Sequence, residues 1–89
     1  MPTVLVPTAY RGPTQGQSEI VVAGATVRAC LEAVESQYPN FIRQVLDEAG
    51  NAHRFVKLFV NEEQIENNAV DTQVGENDRV EVLAAIAGR

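Results

Sequence analysis

Catalysis needs nucleophiles, bases or metal ligands gathered beside one another, and in this sequence those residue types are few and scattered. His53 is the one histidine and Cys30 the one cysteine. His53 has no Ser or second His beside it to complete a triad, so at the start of a strand it is expected to be solvated or to cap a loop. Cys30 falls on the apolar stripe of a helix, where a free cysteine packs as a small apolar residue. A lone Cys cannot close an internal disulfide, and one His with one Cys cannot build a structural zinc site. Glu62-Glu63 and Glu76-Asn77-Asp78 put carboxylates into turns without a ligand cluster around them. Gly12 and Gly16 form no phosphate-binding fingerprint, because no helix opens directly behind them. What remains is the segment after Leu83, where Ala84-Ala85-Ile86-Ala87-Gly88 is small and uncharged. Gly and Ala let a backbone approach another protein's active site closely. The plain alternative is a frayed terminus.

The 89 residues suffice for one domain with a small core. With 45% hydrophobic and 21% charged residues the chain has a globular composition. Seven basic against twelve acidic residues give a net charge of −5, and no basic run offers a phosphate backbone its footprint, so nucleic acid is not an expected partner. The N-terminus lacks a signal-peptide pattern, and no apolar run approaches membrane-spanning length. The expectation is a soluble cytoplasmic protein without disulfide, metal or membrane partner.

The elements that could position the tail follow from periodicity. Thr3-Val4-Leu5-Val6-Pro7 reads as a strand, residues 8–17 as a hairpin loop, and Ser18-Glu19-Ile20-Val21-Val22 as an antiparallel second strand. Thr26 caps a helix whose apolar residues Val27, Cys30, Leu31, Val34 and Tyr38 share one stripe, and Pro39 stops it. Asn40 is expected to cap a short second helix with Phe41, Ile42, Val45 and Leu46 inward, ended by Gly50-Asn51. From Arg54 the period becomes two, with Val56, Leu58 and Val60 on one face and Phe55, Lys57 and Phe59 on the other. Asn61-Glu62-Glu63-Gln64 turns into a brief extended piece around Ile65. Gly75-Glu76-Asn77-Asp78 turns into a last strand with Val80, Val82 and Ala84 opposite Arg79, Glu81 and Leu83.

Strand, strand, helix, strand, strand is an α+β order: a small mixed sheet of about four to five strands packed on one main helix, the β-grasp arrangement. Residues 1–84 are expected to form this domain and residues 85–89 a flexible tail. The expected core is Val4, Val6, Ile20, Val22, Val27, Leu31, Val34, Val56, Leu58, Val60, Val80 and Val82.

Thr26-Val27 opening the helix, Tyr38-Pro39 closing it, Val60-Asn61-Glu62-Glu63 at the hairpin, Gly75-Glu76-Asn77-Asp78-Arg79-Val80 before the last strand, and the closing Ala-Ile-Ala-Gly together resemble the MoaD/ThiS family of ubiquitin-like sulfur carriers. His53-Arg54-Phe55-Val56 followed by Val60-Asn61-Glu62-Glu63 is similar to its CysO-type branch, which delivers sulfur for cysteine biosynthesis. The resemblance implies that the protein is a substrate and not an enzyme. A ubiquitin-activating-type adenylyltransferase joins its C-terminal carboxylate to AMP, sulfur displaces AMP, and the resulting thiocarboxylate serves a sulfur-accepting synthase. ATP, and pyridoxal phosphate where the synthase uses it, belong to those partners; the carrier holds no cofactor. Ala87, Gly88 and Arg89 then form the sulfur-carrying tail.

Arg89 stands where the family has its second glycine. A tail-trimming protease, a substitution at that position, or a family member that carries no sulfur would each account for it. The alternatives to a cysteine-pathway carrier are a β-grasp module that binds a synthase without carrying sulfur and the small subunit of a molybdopterin synthase. Strand parity adds a docking surface. If Val56, Leu58, Val60, Val80 and Val82 face the helix, Phe59 and Leu83 face away, with Lys57 and Arg79 at a polar rim. The competing reading has Phe55 and Phe59 packing on each other or under a loop.

Overall fold

The computed structural model describes residues 1–7 and 16–84. Its elements run β1 (Thr3–Leu5), β2 (Glu19–Val21), α1 (Val27–Gln37), α2 (Ile42–Val45), β3 (Val56–Val60), β4 (Glu63–Ile65) and β5 (Arg79–Ala84). The described strands form one sheet in the order β2-β1-β5-β3-β4. β1 and β5 are parallel, and the other neighbours are antiparallel. This is the expected α+β arrangement, with α1 laid across one face.

Alternation decides which face each strand gives to the helix. Val4, Ile20, Val56, Leu58, Val80 and Val82 are buried, and the residues between them turn outward. On α1 the buried residues are Val27, Cys30, Leu31 and Val34, one helical stripe that closes the core from above. Thr26 caps the helix as expected, its Oγ1 accepting from the Ala29 amide at 3.1 Å. The two preceding amides are satisfied from far along the chain: Val27 N donates to the Thr72 carbonyl at 3.0 Å and Arg28 N to that of Val70 at 2.7 Å. The irregular stretch before β5 thereby completes the helix start, and Val70 is fully buried beneath it.

Three expectations are corrected. Asn40 is not the cap of α2; its φ is +80, and Phe41 takes the capping position without a side-chain bond. Glu35 on the last turn of α1 does that work, its carboxylate accepting from Asn40 N at 3.1 Å and Ile42 N at 2.8 Å. The second helix ends at Val45, before Gly50-Asn51, because Leu46 turns extended and bridges to Ala52. Val60 is only half-buried, packing on the core from its rim where β3 runs into the hairpin turn. Phe41, Val45 and Leu46 are buried as expected, and Ala52 and Val70 join them in the core.

Candidate functional site

The face of the sheet opposite α1 gathers the outward residues of its strands. The register sets Lys57 of β3 opposite Leu83 of β5, and Phe59 opposite Glu81. The parallel pairing sets Thr3 opposite Arg79 and Leu5 opposite Glu81. Directly opposed residues put their side chains on one side of a sheet, so Lys57, Phe59, Arg79 and Leu83 share this face. Leu83 is 37% exposed and Phe55, just before β3, is 52% exposed. Phe59 is half-buried, less open than strand parity alone suggests. Phe55 is covered by a cation, the Arg54 guanidinium lying 5.1 Å from its ring centroid. Arg79 reaches across β1 to β2, its Nη2 standing 3.7 Å from Glu19 Oε2.

This face contains residues that the sequence reading left out. Val21 of β2 is 57% exposed and lies opposite Thr3. Leu5, half-buried, lies between Glu19 and Glu81. Alternation around Ile20 already turns Val21 outward, but only the parallel contact of β1 with β5 brings it to the same surface as Leu83. Leu5, Pro7, Glu19, Glu81 and Leu83 line an open groove beside the end of β5. The tail positions Ala87, Gly88 and Arg89 lie outside the described residues.

The opposite end of β5 is bound tightly. Asp78 Oδ1 accepts from Asn61 Nδ2 at 2.9 Å, and its Oδ2 accepts from Gly75 N at 2.7 Å. Asn61 Oδ1 in turn accepts from Arg79 N at 2.9 Å. These bonds favour the ionised carboxylate and hold Asp78 below its ordinary range, Asn61 contributing most. The carboxylate turn is therefore a clasp between the β3–β4 hairpin and the start of β5. Among the described residues no group of three or more His, Cys, Asp or Glu side chains could hold a metal ion.

His53 also has a tying role. Its ring Nε2 lies 3.1 Å from the Arg43 carbonyl, and its amide donates to Val45 at 2.9 Å. Cys30 is fully buried, and loss of solvent pushes its thiol pKa up, away from the reactive thiolate. No helix among the described residues is long and apolar enough to cross a membrane.

The sheet thus has one face covered by α1 and one face open. Residues 4–88 match the ThiS family. The chain belongs to that family. It is also similar to the Amycolatopsis orientalis protein in the crystal structure of the BexX/CysO complex, at 30% identity and TM-score 0.91 over 100% of both chains. Mycobacterium tuberculosis CysO, described as an antigen, matches at 30% identity and TM-score 0.88 over 97% of this chain and 100% of that one. The small archaeal modifier protein 1 of Methanosarcina acetivorans shares the fold at 16% identity and TM-score 0.82, over 99% of this chain and 95% of that one. Among curated proteins no match was found. These likenesses agree with a MoaD/ThiS-type sulfur carrier close to CysO, built on a ubiquitin-like β-grasp.

Proposed function

We propose that this protein carries sulfur as a C-terminal thiocarboxylate and delivers it to a biosynthetic synthase of cysteine or related sulfur metabolism. The observation that carries the reading is the family match over residues 4–88, which runs through Ala87-Gly88. A carboxylate is a poor electrophile. Joined to AMP it becomes a mixed anhydride with a good leaving group, and sulfide sulfur attacking the carbonyl carbon expels AMP. The thiocarboxylate sulfur is then the nucleophile presented to the acceptor. Adenylation is the work of a ubiquitin-activating-type partner, which supplies the ATP site; the carrier contributes the tail and a surface to hold. That surface is the open sheet face around Phe59 and Leu83, with Lys57 and Arg79 at its edge. The 30% identity to the CysO of the BexX/CysO complex supports a partner-bound way of working. The small, uncharged run of residues 84–88 suits a flexible tail that threads into a partner site.

Arg89 after Gly88 favours a second reading, a β-grasp module that binds a synthase without carrying sulfur, because a bulky cation fails a filter shaped for glycine. A trimming protease that exposes Gly88 would restore the first. Intact mass separates them. With the cognate adenylyltransferase, ATP and sulfide, a competent tail gains the mass difference between sulfur and oxygen. A gain only in an Arg89→Gly variant or a form ending at Gly88 identifies a carrier blocked by Arg89. No gain in any form sinks the carrier reading for that enzyme.

A further inference from the structure

The register carries one row of side chains straight across the open face: Glu19, Leu5, Glu81, Phe59 and Gln64, one from each strand. Glu81 is its middle member, on the central strand β5, with Leu5 on one side and Phe59 on the other. Adjacent strands lie about 4.8 Å apart, so both apolar side chains are its immediate neighbours. Leu83 follows two residues along on the same face. A half-buried carboxylate thus stands at the centre of the apolar patch.

The cations of this face do not match it. Arg79, two residues before Glu81, is turned towards β2, its Nη2 3.7 Å from Glu19 Oε2. Lys57 lies diagonally across, opposite Leu83. Among the described residues the ion pairs are Arg28 with Asp71 and Arg79 with Glu19, and the Glu81 carboxylate has no hydrogen bond. In the free protein water serves it. Once an apolar surface covers the row that water is lost, and a charge left unpaired there offsets much of what the surrounding contacts contribute.

We propose that the protein surface docking on this face presents a basic side chain at its centre, seated in the groove beside Leu5, Pro7 and Leu83 with its charged head on Glu81. This rests on the docking reading given above. The groove is lined by those residues and by Glu19 and Glu81, so apolar walls meet an aliphatic stem and a carboxylate meets the head. Arginine fits best: its guanidinium offers two parallel N–H donors to one carboxylate and is more weakly hydrated than an ammonium, which suits a site that dries on docking. The chain's net charge of −5 steers a basic surface towards it from a distance. It also argues against a second copy as the occupant, since each copy would bring the same charge to the contact. Glu81 then selects among apolar surfaces, because one without a cation is penalised at that point.

The test measures binding to the cognate adenylyltransferase by isothermal titration, with native circular dichroism required of every variant. Glu81→Gln keeps the shape and removes the charge. It should weaken binding about tenfold, and Glu81→Lys about a hundredfold. A partner surface that is only apolar gives the opposite sign, since removing a charge from the face would leave affinity unchanged or raise it. That outcome, with Leu83→Ser still weakening binding, overturns the basic side chain and leaves the docking face in place. Unchanged affinity in Leu83→Ser as well, or no binding by the parent, overturns both. Sedimentation of the parent alone covers the remaining occupant: a monomer at all concentrations supports the proposal, and a concentration-dependent dimer abolished by Leu83→Ser would give the face to a second copy and overturn it.

Discussion

The two ends of β5 are held by opposite means. At its start, Asn61, Gly75 and Asp78 exchange side-chain and backbone bonds, so that a hairpin and a turn distant in sequence become one rigid corner. At its finish stand Leu83, Lys57 and Phe55, partly or largely open to solvent. Fixed bonds at one end anchor the strand, and apolar surface stands exposed at the other, where the docking face is proposed. The same division separates the two faces of the sheet.

The sharpest test compares two leucines on paired strands, one facing in and one facing out. Leu58 of β3 lies opposite Val82 and is fully buried, whereas Leu83 follows on the other face. Leu58→Ala should cost about 2–5 kcal/mol of stability, and Leu83→Ser within about 0.5 kcal/mol. Urea unfolding followed by circular dichroism measures both. Similar losses would show that the open face is structurally committed, not reserved for contact.

The next effect concerns that face as a docking surface. A combined Phe59→Ser and Leu83→Ser variant should bind the activating partner more weakly by about 1–2 kcal/mol while keeping its native spectrum. Isothermal titration reads the affinity. Unchanged binding by a folded variant would move the docking surface elsewhere on the body.

Much of this division is legible in the sequence, for physical reasons that can be located. Val27, Cys30, Leu31 and Val34 recur with the helical period because one stripe meets the sheet, and Thr26 announces the start with a side chain that bonds locally. Lys57, Phe59 and Leu83 follow from parity, since a strand must alternate. Glu35 capping α2 was not legible, because a carboxylate reaching seven residues on depends on how the chain turns at Asn40. Val70 was missed because it sits in no period; its burial comes from a loop laid against the helix start. Val21 and Leu5 reach the candidate surface only through the parallel pairing of β1 with β5, which no local pattern specifies.

The clasp predicts a pH dependence confined to the anchored end. Asp78 titrates below its ordinary value of 3.8 because Asn61 and the Gly75 amide bond its ionised form. A carboxyl whose folded pKa is depressed contributes stability that is fully present above the unfolded value and is lost as pH falls through the folded one. Unfolding midpoints of the parent should therefore drop more steeply on acidification below about pH 4 than those of an Asp78→Asn variant. Parallel curves for the two would mean that the clasp bonds do not favour the charged form.

The smallest effect lies in the hairpin that feeds the clasp. Asn61 and Glu62 both have positive φ, 51 and 74, so two consecutive residues occupy left-handed backbone between β3 and β4. Two-residue hairpins favour this geometry because its twist matches that of the flanking strands, and Asn followed by Gly suits it best. Asn61 fits the first position, and its side chain makes two of the three clasp bonds, donating to Asp78 Oδ1 and accepting from Arg79 N. Glu62 is out of place by the same rule, since a side chain with a Cβ pays roughly 1–2 kcal/mol in left-handed backbone. Part of that is recovered by Glu62→Gly and part is lost to the freer unfolded chain. The variant should then gain about 0.5 kcal/mol in urea unfolding. A loss of stability would show that the Glu62 side chain contributes more than its backbone costs.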